Sequence, residues 1–126
     1  MPMFQIRPEQ RLRVASHFKR QAIRKTRSTN PLKAGDLLKF STRNNVHEKY
    51  TVFLVGRVKE VLPIVLGYVK GKVHVEVDGK VLTPEERVSL AEGEGFPGTI
   101  EMIDYYRKKF LSPGAVRPWK GTLVRW

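Results

Sequence analysis

Residues 73–86 read Val-His-Val-Glu-Val-Asp-Gly-Lys-Val-Leu-Thr-Pro-Glu-Glu, and this one stretch predicts both kinds of secondary structure. Its valines alternate with polar residues, as in a strand with one buried face, and Asp78-Gly79 is the signal of a two-residue hairpin turn. Thr83 precedes Pro84 and stands three residues before Glu86, which is a capping box with proline at the first helical position. The stretch therefore predicts a hairpin followed by a helix over about 84–91.

Outward from this stretch, the chain predicts further strands with helices at the margins. The other predicted strands cover 3–7, 21–24, 36–41, 50–61 and 119–126, with short strands from 64, and the other helices cover 8 to about 19 and about 99–110. Residues 50–61 are apolar on both faces in their first half, which favours a central barrel strand bent at Gly56. We expect Val55 and Ile103 in the core, where a charge would unfold the protein. This order predicts an α+β fold, a small closed or nearly closed sheet with peripheral helices.

The first helix has a predicted apolar arc. Val14, Ala15 and Phe18 share one side of a helical wheel with Leu12 beside them, while Arg13 and Arg20 point away. This arrangement predicts a helix that packs on the domain and shows cations outward.

Length and composition exclude several classes of protein. At 126 residues and 14.5 kDa, with 40% hydrophobic residues, the chain is expected to be one folded domain over 1–126. The absence of cysteine excludes disulfide scaffolds, thiolate zinc sites and cysteine nucleophiles. The sequence has no apolar run of spanning length and no signal-peptide block in its first 20 residues, so we expect a cytoplasmic protein with no membrane association.

No cofactor or metal site is predicted. His17, His47 and His74 have no histidine or cysteine at the spacing of a metal site, and the sequence lacks the phosphate-binding glycine loops and the Gly-x-Ser-x-Gly elbow. His74 is expected to face solvent, and His17 to pack at a helix edge.

The charge of the chain points to an anionic partner. Twenty-four Lys and Arg against twelve Asp and Glu give a net charge of +12 and a pI near 10.3. Residues 1–60 carry a net +10 and residues 61–126 a net +2, so the excess lies in the first half. Such a concentration favours nucleic acid over a membrane surface, although a solvated helix face is the alternative explanation.

Aromatic residues accompany these cations. Single-stranded nucleic acids need cations for the phosphates and flat groups on which splayed bases stack. Phe18, Phe40 and Phe53 occupy apolar positions and are expected in the core, whereas Tyr50 and Tyr105 are the better stacking candidates.

Three segments carry a resemblance to a known family. Residues 18–24 read Phe-Lys-Arg-Gln-Ala-Ile-Arg, residues 32–40 read Leu-Lys-Ala-Gly-Asp-Leu-Leu-Lys-Phe, and residues 90–102 contain Ala-Glu-Gly-Glu-Gly-Phe. In order and spacing they resemble the ASCH domain family, a PUA-like β-barrel, across roughly 3–110. The resemblance implies work on RNA or nucleotides, including RNA binding, ribonuclease action or removal of the acetyl group from N4-acetylcytidine.

The resemblance also implies candidate catalytic positions. The small amidohydrolases of the family use a Lys, a Thr three residues later and a Glu in the acidic segment, which fall on Lys19, Ala22 and Glu94. A methyl group cannot attack an amide carbonyl, so the nucleophile is missing unless Thr26, Ser28 or Thr29 replaces it. Lys19 and Glu94 could equally contact a ligand or tie the helix to the barrel as an ion pair.

We therefore expect RNA or another single-stranded nucleic acid to bind a basic cleft beside the barrel, near segment 18–29. The expected binding residues are Lys19, Arg20, Arg24, Lys25, Arg27, Lys39, Arg43 and Tyr50. Two alternatives stay open: a nucleoside- or RNA-modifying hydrolase using Lys19 and Glu94, and an interaction module whose charge attracts an acidic protein partner.

Overall fold

The computed structural model describes residues 3–15, 19–27, 30–43, 45 and 47–126. The described strands are β1 (Met3–Gln5), β2 (Gln21–Arg24), β3 (Leu37–Thr42), β4 (Thr51–Arg57), β5 (Glu60–Val69), β6 (Lys72–Val77), β7 (Lys80–Val81) and β8 (Trp119–Arg125). The helices are α1 (Arg11–Ala15), preceded by a 3-10 turn at Pro8–Gln10, then α2 (Pro84–Gly93) and α3 (Thr99–Phe110). The fold is α+β, as predicted.

The hairpin and the helix start that follows it are confirmed. Asp78 and Gly79 both have positive φ, at 53° and 80°, as a two-residue turn between β6 and β7 requires. Thr83 accepts a hydrogen bond from the Glu86 N–H at 3.2 Å, and the Glu86 side chain accepts one from the Thr83 N–H at 3.0 Å. The bond from the Thr83 backbone also lowers the pKa of Glu86.

Contacts within the chain define two compact units. The first unit contains Met1–Gln21, Ser28–Val61 and Val124–Trp126, and the second contains Ala22–Arg27 and Leu62–Leu123. Among the described strands there are two sheets, of orders β1-β3-β4 and β2-β8-β5-β6-β7, and they are not closed into a barrel.

The first unit is built on the three-stranded sheet. β1 pairs with β3 in parallel and β4 pairs with β3 antiparallel. The register shifts between Phe40 and Ser41, so that Phe53 is the extra residue of a β-bulge. One face of the sheet is covered by an aromatic cluster: the rings of Phe4 and Trp126 lie 6.0 and 4.7 Å from that of Phe40.

The second unit packs α2 and α3 with β5, β6 and β8 around one apolar core. Its central side chains are fully or almost fully buried, and they are Ile64, Leu66, Val75, Ala91, Met102, Ile103 and Leu123. The rings of Tyr106 and Phe110 stack on Trp119 at 4.9 and 5.2 Å. Gly67 lies against Pro118, where a Cβ would come within 2.7 Å of the proline backbone. Only glycine therefore fits at this position of β5.

Two expectations about the first unit are wrong. The apolar run 50–61 forms two strands, with a break at Val58-Lys59, and β4 lies at the end of its sheet rather than in the centre. Val55 is 52% exposed and is not a core residue. β4 packs on Phe40 at Gly56, whereas its Val52 is, like Val55, largely exposed at 42%.

The expected first helix is described over Arg11–Ala15, and its continuation over 16–18 lies outside the described residues. Lys19 is not helical, and its N–H donates to the Arg13 carbonyl at 2.9 Å. Val14 is buried as predicted, whereas Leu12 and Ala15 are exposed and Phe18 lies outside the described residues.

Candidate nucleic-acid interface

The backbone of β2 is held by two side chains at Ile23. Glu94 Oε1 accepts a hydrogen bond from the Ile23 N–H at 3.0 Å, and Arg24 Nη1 donates one to the Ile23 carbonyl at 3.0 Å. Glu94 is the residue that ends α2, and its own N–H donates to the carbonyls of Leu90 and Ala91. Ile23 is 1% exposed, so its polar groups have no access to water and these two bonds satisfy them.

The residues expected to act in hydrolysis do not provide an accessible nucleophile. Ala22, expected from the resemblance at the threonine position, is 0% exposed and presents only a methyl group closed to solvent. Thr26, a possible replacement, has its Oγ1 2.7 Å from Oγ1 of Thr122. Ser28 and Thr29 lie outside the described residues. Lys19 belongs to the first unit and is 8% exposed.

Segment 24–27 of the second unit presents cations to solvent. Lys25 and Arg27 are exposed, and neither forms an ion pair or hydrogen bond with the described residues. Arg24 is half-buried because its guanidinium turns back to the Ile23 carbonyl. These neighbouring residues therefore differ: Arg24 supports the strand, whereas Lys25 and Arg27 are available to a ligand.

A second set of expected residues lies in the first unit. The Arg43 guanidinium carbon lies 4.4 Å from the centre of the Tyr50 ring, which is within the range of a cation–π contact. Lys39 is half-buried on β3 with no hydrogen bond or ion pair to the described residues, and Arg20 is exposed. Arg11 lies 5.5 Å over Phe53, a contact that the sequence did not predict because the two residues are 42 positions apart.

The charge differs between the units. The first contains twelve Lys and Arg against four Asp and Glu, and the second contains twelve against eight. Ion pairs of the described residues include Lys80 with Glu86 and Arg125 with Glu60. Attraction for anions is consequently strongest in the first unit.

A half-buried tyrosine of the second unit has a shifted pKa. Burial and a 2.8 Å hydrogen bond from the Tyr68 hydroxyl to Asp104 Oδ1 raise the pKa of Tyr68 to about 12. The Arg107 guanidinium, 5.5 Å from the ring centre, opposes this shift. Arg107 also donates to the Ala115 carbonyl at 2.9 Å, so the group joins α3, β5 and the segment before β8 and plays a structural part.

The described residues contain neither a candidate metal site nor a helix that could span a membrane. They contain no group of three or more His, Asp or Glu that could hold a metal ion. His74 is half-buried, not solvent-facing as expected, with Nε2 2.9 Å from Glu76 Oε1, and His47 is exposed. No helix in the same residues has the length and apolar character needed to cross a membrane.

No family model, curated protein or solved structure matches the chain. Its function has to be inferred from its own residues.

Proposed function

We propose that this protein binds RNA or another single-stranded nucleic acid through exposed cations in both units. The observation that carries the proposal is the pair Lys25 and Arg27, two exposed cations separated by one residue and without anionic partners among the described residues, in a chain of net charge +12. An exposed cation without a partner contributes nothing to folding, whereas against a phosphate it releases a condensed counterion and so favours binding.

The Arg43–Tyr50 pair supports the choice of a single strand. A guanidinium stacked on a ring presents a flat surface on which an unpaired base can stack, and such surfaces are typical of single-strand sites. In the proposal, Arg20 and Lys39 of the first unit contact phosphates while Arg43 and Tyr50 contact bases, and Lys25 and Arg27 of the second unit contact phosphates. Lys19 and Arg24 act mainly indirectly, by holding neighbouring residues in place.

We also propose that the fold is of the PUA-like type seen in ASCH domains, on the strength of the three sequence segments. Binding is proposed rather than hydrolysis because Ala22 has no nucleophilic atom and Glu94 Oε1 is engaged by the Ile23 N–H. A binding module needs neither a nucleophilic atom nor a catalytic carboxylate. We place the protein in the cytoplasm, where RNA is available to it.

The test is the salt dependence of binding to a fluorescent oligouridylate. Four neutralised phosphates predict a log–log slope of about −2.8 on a single strand, and each lost contact removes about 0.7. The variant K25Q/R27Q should therefore bind more weakly at low salt with a slope reduced by about 1.4. K72Q/K108Q, which removes the same charge from two exposed lysines elsewhere in the second unit, is the matched control. If both double variants lose affinity equally, net charge alone explains binding and the proposed surface is wrong.

A second experiment tests stacking at Tyr50. Replacing one nucleotide at a time by an abasic sugar should weaken binding at one or two positions by about 1–3 kcal/mol each in the parent protein. The Y50A variant should be insensitive at one of those positions. Equal sensitivity of parent and variant at every position would exclude Tyr50 from base contact.

A further inference from the structure

The outer edge of β4 is an open hydrogen-bonding edge. Val58 N–H donates to the Asp36 carbonyl and Val58 O accepts from the Gly35 N–H, both at 2.8 Å, so the backbone of Val58 faces β3. Because these directions alternate along an antiparallel strand, the N–H and C=O groups of Val55 and Arg57 face the opposite edge. No described residue forms a hydrogen bond with them there.

Other terminal strands of the described sheets are short or protected. β1 has three residues and β7 has two. β2 is longer, but Glu94 and Arg24 occupy the N–H and C=O of Ile23. Proteins commonly protect edges in these ways because an open edge pairs with foreign strands. The seven residues of β4 have no such protection within the described chain. The outer edge of β4 is therefore longer and more open to pairing than the edges of β1, β2 and β7.

Apolar side chains continue from this edge across the sheet. The register aligns Met3, Lys39 and Val55 in one row and Leu37 with Arg57 in the next. Met3, Leu37 and Val55 are 48, 38 and 52% exposed in the full chain. The face therefore combines apolar side chains with two cations, and cross-strand neighbours of this kind interact with whatever strand is added beside β4.

The charge of the first unit indicates the occupant. A second copy of the chain would bring two surfaces of twelve cations and four anions together, which opposes self-association. A nucleic acid is attracted by the cations, but it has no regularly spaced N–H and C=O groups to pair with a strand edge. An extended peptide supplies both groups, and acidic side chains give it complementary charge.

We infer that the outer edge of β4 binds an extended acidic segment of a partner protein by strand addition. An apolar residue of the segment lies opposite Val55, and a carboxylate two residues away lies opposite Arg57. The Arg57 guanidinium is held on the β3 side of β4 in the unbound chain, where Nη1 donates to the Gly35 carbonyl at 2.7 Å, and it would turn to the added strand on binding. Lys39 lies diagonally across from Arg57 on the same face and adds a second positive charge. Lys39 is shared with the proposed nucleic-acid surface, whereas the backbone edge of β4 and the Val55 and Arg57 side chains are not.

The test uses a fluorescent ten-residue peptide with the repeat Thr-Val-Thr-Glu, whose apolar and acidic residues share one face when extended. Fluorescence anisotropy should show saturable binding, and the Thr-Val-Thr-Lys peptide should bind at least tenfold more weakly. Two N-methylated versions separate pairing from charge. Methylation of one alternate set of amides should abolish binding because those N–H groups face β4, and methylation of the other set should be tolerated.

Protein variants give the second arm. V55P removes the outward N–H while leaving the bonds to β3, since proline is accepted where the N–H faces away from the sheet. It should weaken peptide binding at least tenfold, whereas V55T, which keeps the N–H, should bind as the parent does. Both variants should retain oligouridylate, so that failure here is distinguishable from failure of nucleic-acid binding. Absence of saturable binding, equal effects of the two methylation patterns, or unchanged binding by folded V55P would each overturn the inference.

Discussion

Replacing Glu94 by alanine is the sharpest test of what this residue does. In the structure its carboxylate reaches across 71 positions of sequence to the Ile23 N–H, at 3.0 Å. Alanine removes the acceptor and leaves a donor on a residue that is 1% exposed, where water cannot replace it. Glutamine keeps an acceptor oxygen at a similar reach but loses the negative charge.

The expected loss follows from the type of bond. Hydrogen bonds to charged groups contribute about 1.5–3 kcal/mol, and an orphaned buried donor costs about 1–3 kcal/mol. E94A should therefore lower the free energy of unfolding by about 2–3 kcal/mol. E94Q, with a neutral bond of about 1 kcal/mol, should lose roughly half as much. At an m-value of about 2 kcal/mol per M, E94A moves the urea midpoint by about 1 M or more.

Urea unfolding followed by far-ultraviolet circular dichroism measures these differences. E92A is the matched control, because Glu92 is exposed on the same helix and its loss should change stability by less than about 0.5 kcal/mol. If E94A unfolds at the same urea concentration as E92A, the bond to Ile23 is not structural. In that case Glu94 would have to be reconsidered as a ligand contact.

Three further predictions test the fold and its electrostatics. I103D should unfold the protein, because Ile103 is 0% exposed. V55D should lower the free energy of unfolding by less than about 1 kcal/mol, because Val55 is 52% exposed, and thermal melts of the two variants test this difference. T83A should lower stability by about 1 kcal/mol through the lost capping box, as measured by urea unfolding. D104N should lower the pKa of Tyr68 from about 12 towards 10, as measured by ultraviolet titration of the phenolate. An unfolded tyrosine ionises near pH 10 and Tyr68 near 12, so the contribution of Tyr68 to the free energy of unfolding is lost as pH rises between these values. D104N should narrow the pH range over which this contribution is lost.

Elements set by short-range signals were predictable from the sequence. Asp78-Gly79 and Thr83 act within four residues, so the turn and the helix start follow from local chemistry. Strand Gln21–Arg24 and helix Thr99–Phe110 also have the predicted bounds. Apolar periodicity does not reveal which face has a partner, however, and Ile100 on the predicted face of that helix is 53% exposed.

The position of a strand within its sheet was not predictable. The run 50–61 has apolar side chains on both faces, which a central strand and an edge strand with an uncovered face share. The bulge at Phe53 and the break at Val58-Lys59 depend on the pairing with β3, which no local signal encodes.

The different roles of the candidate site residues could not be predicted from the sequence either. Charge counting identified Arg24 and Lys25 as equivalent cations, but Arg24 bonds to the Ile23 carbonyl and Lys25 does not. Arg24 is therefore a poor choice for a charge reversal intended to leave stability unchanged. The distinction depends on the direction in which each side chain turns in the folded chain.

The two tryptophans lie in different environments, with a practical consequence. Trp126 is buried against Phe4 and Phe40 in the first unit, and Trp119 is stacked on Tyr106 and Phe110 in the second. Each unit thus contains its own intrinsic fluorophore. Single-tryptophan versions of the chain can follow the melting of either unit by emission alone, without attaching a dye to a protein that lacks cysteine.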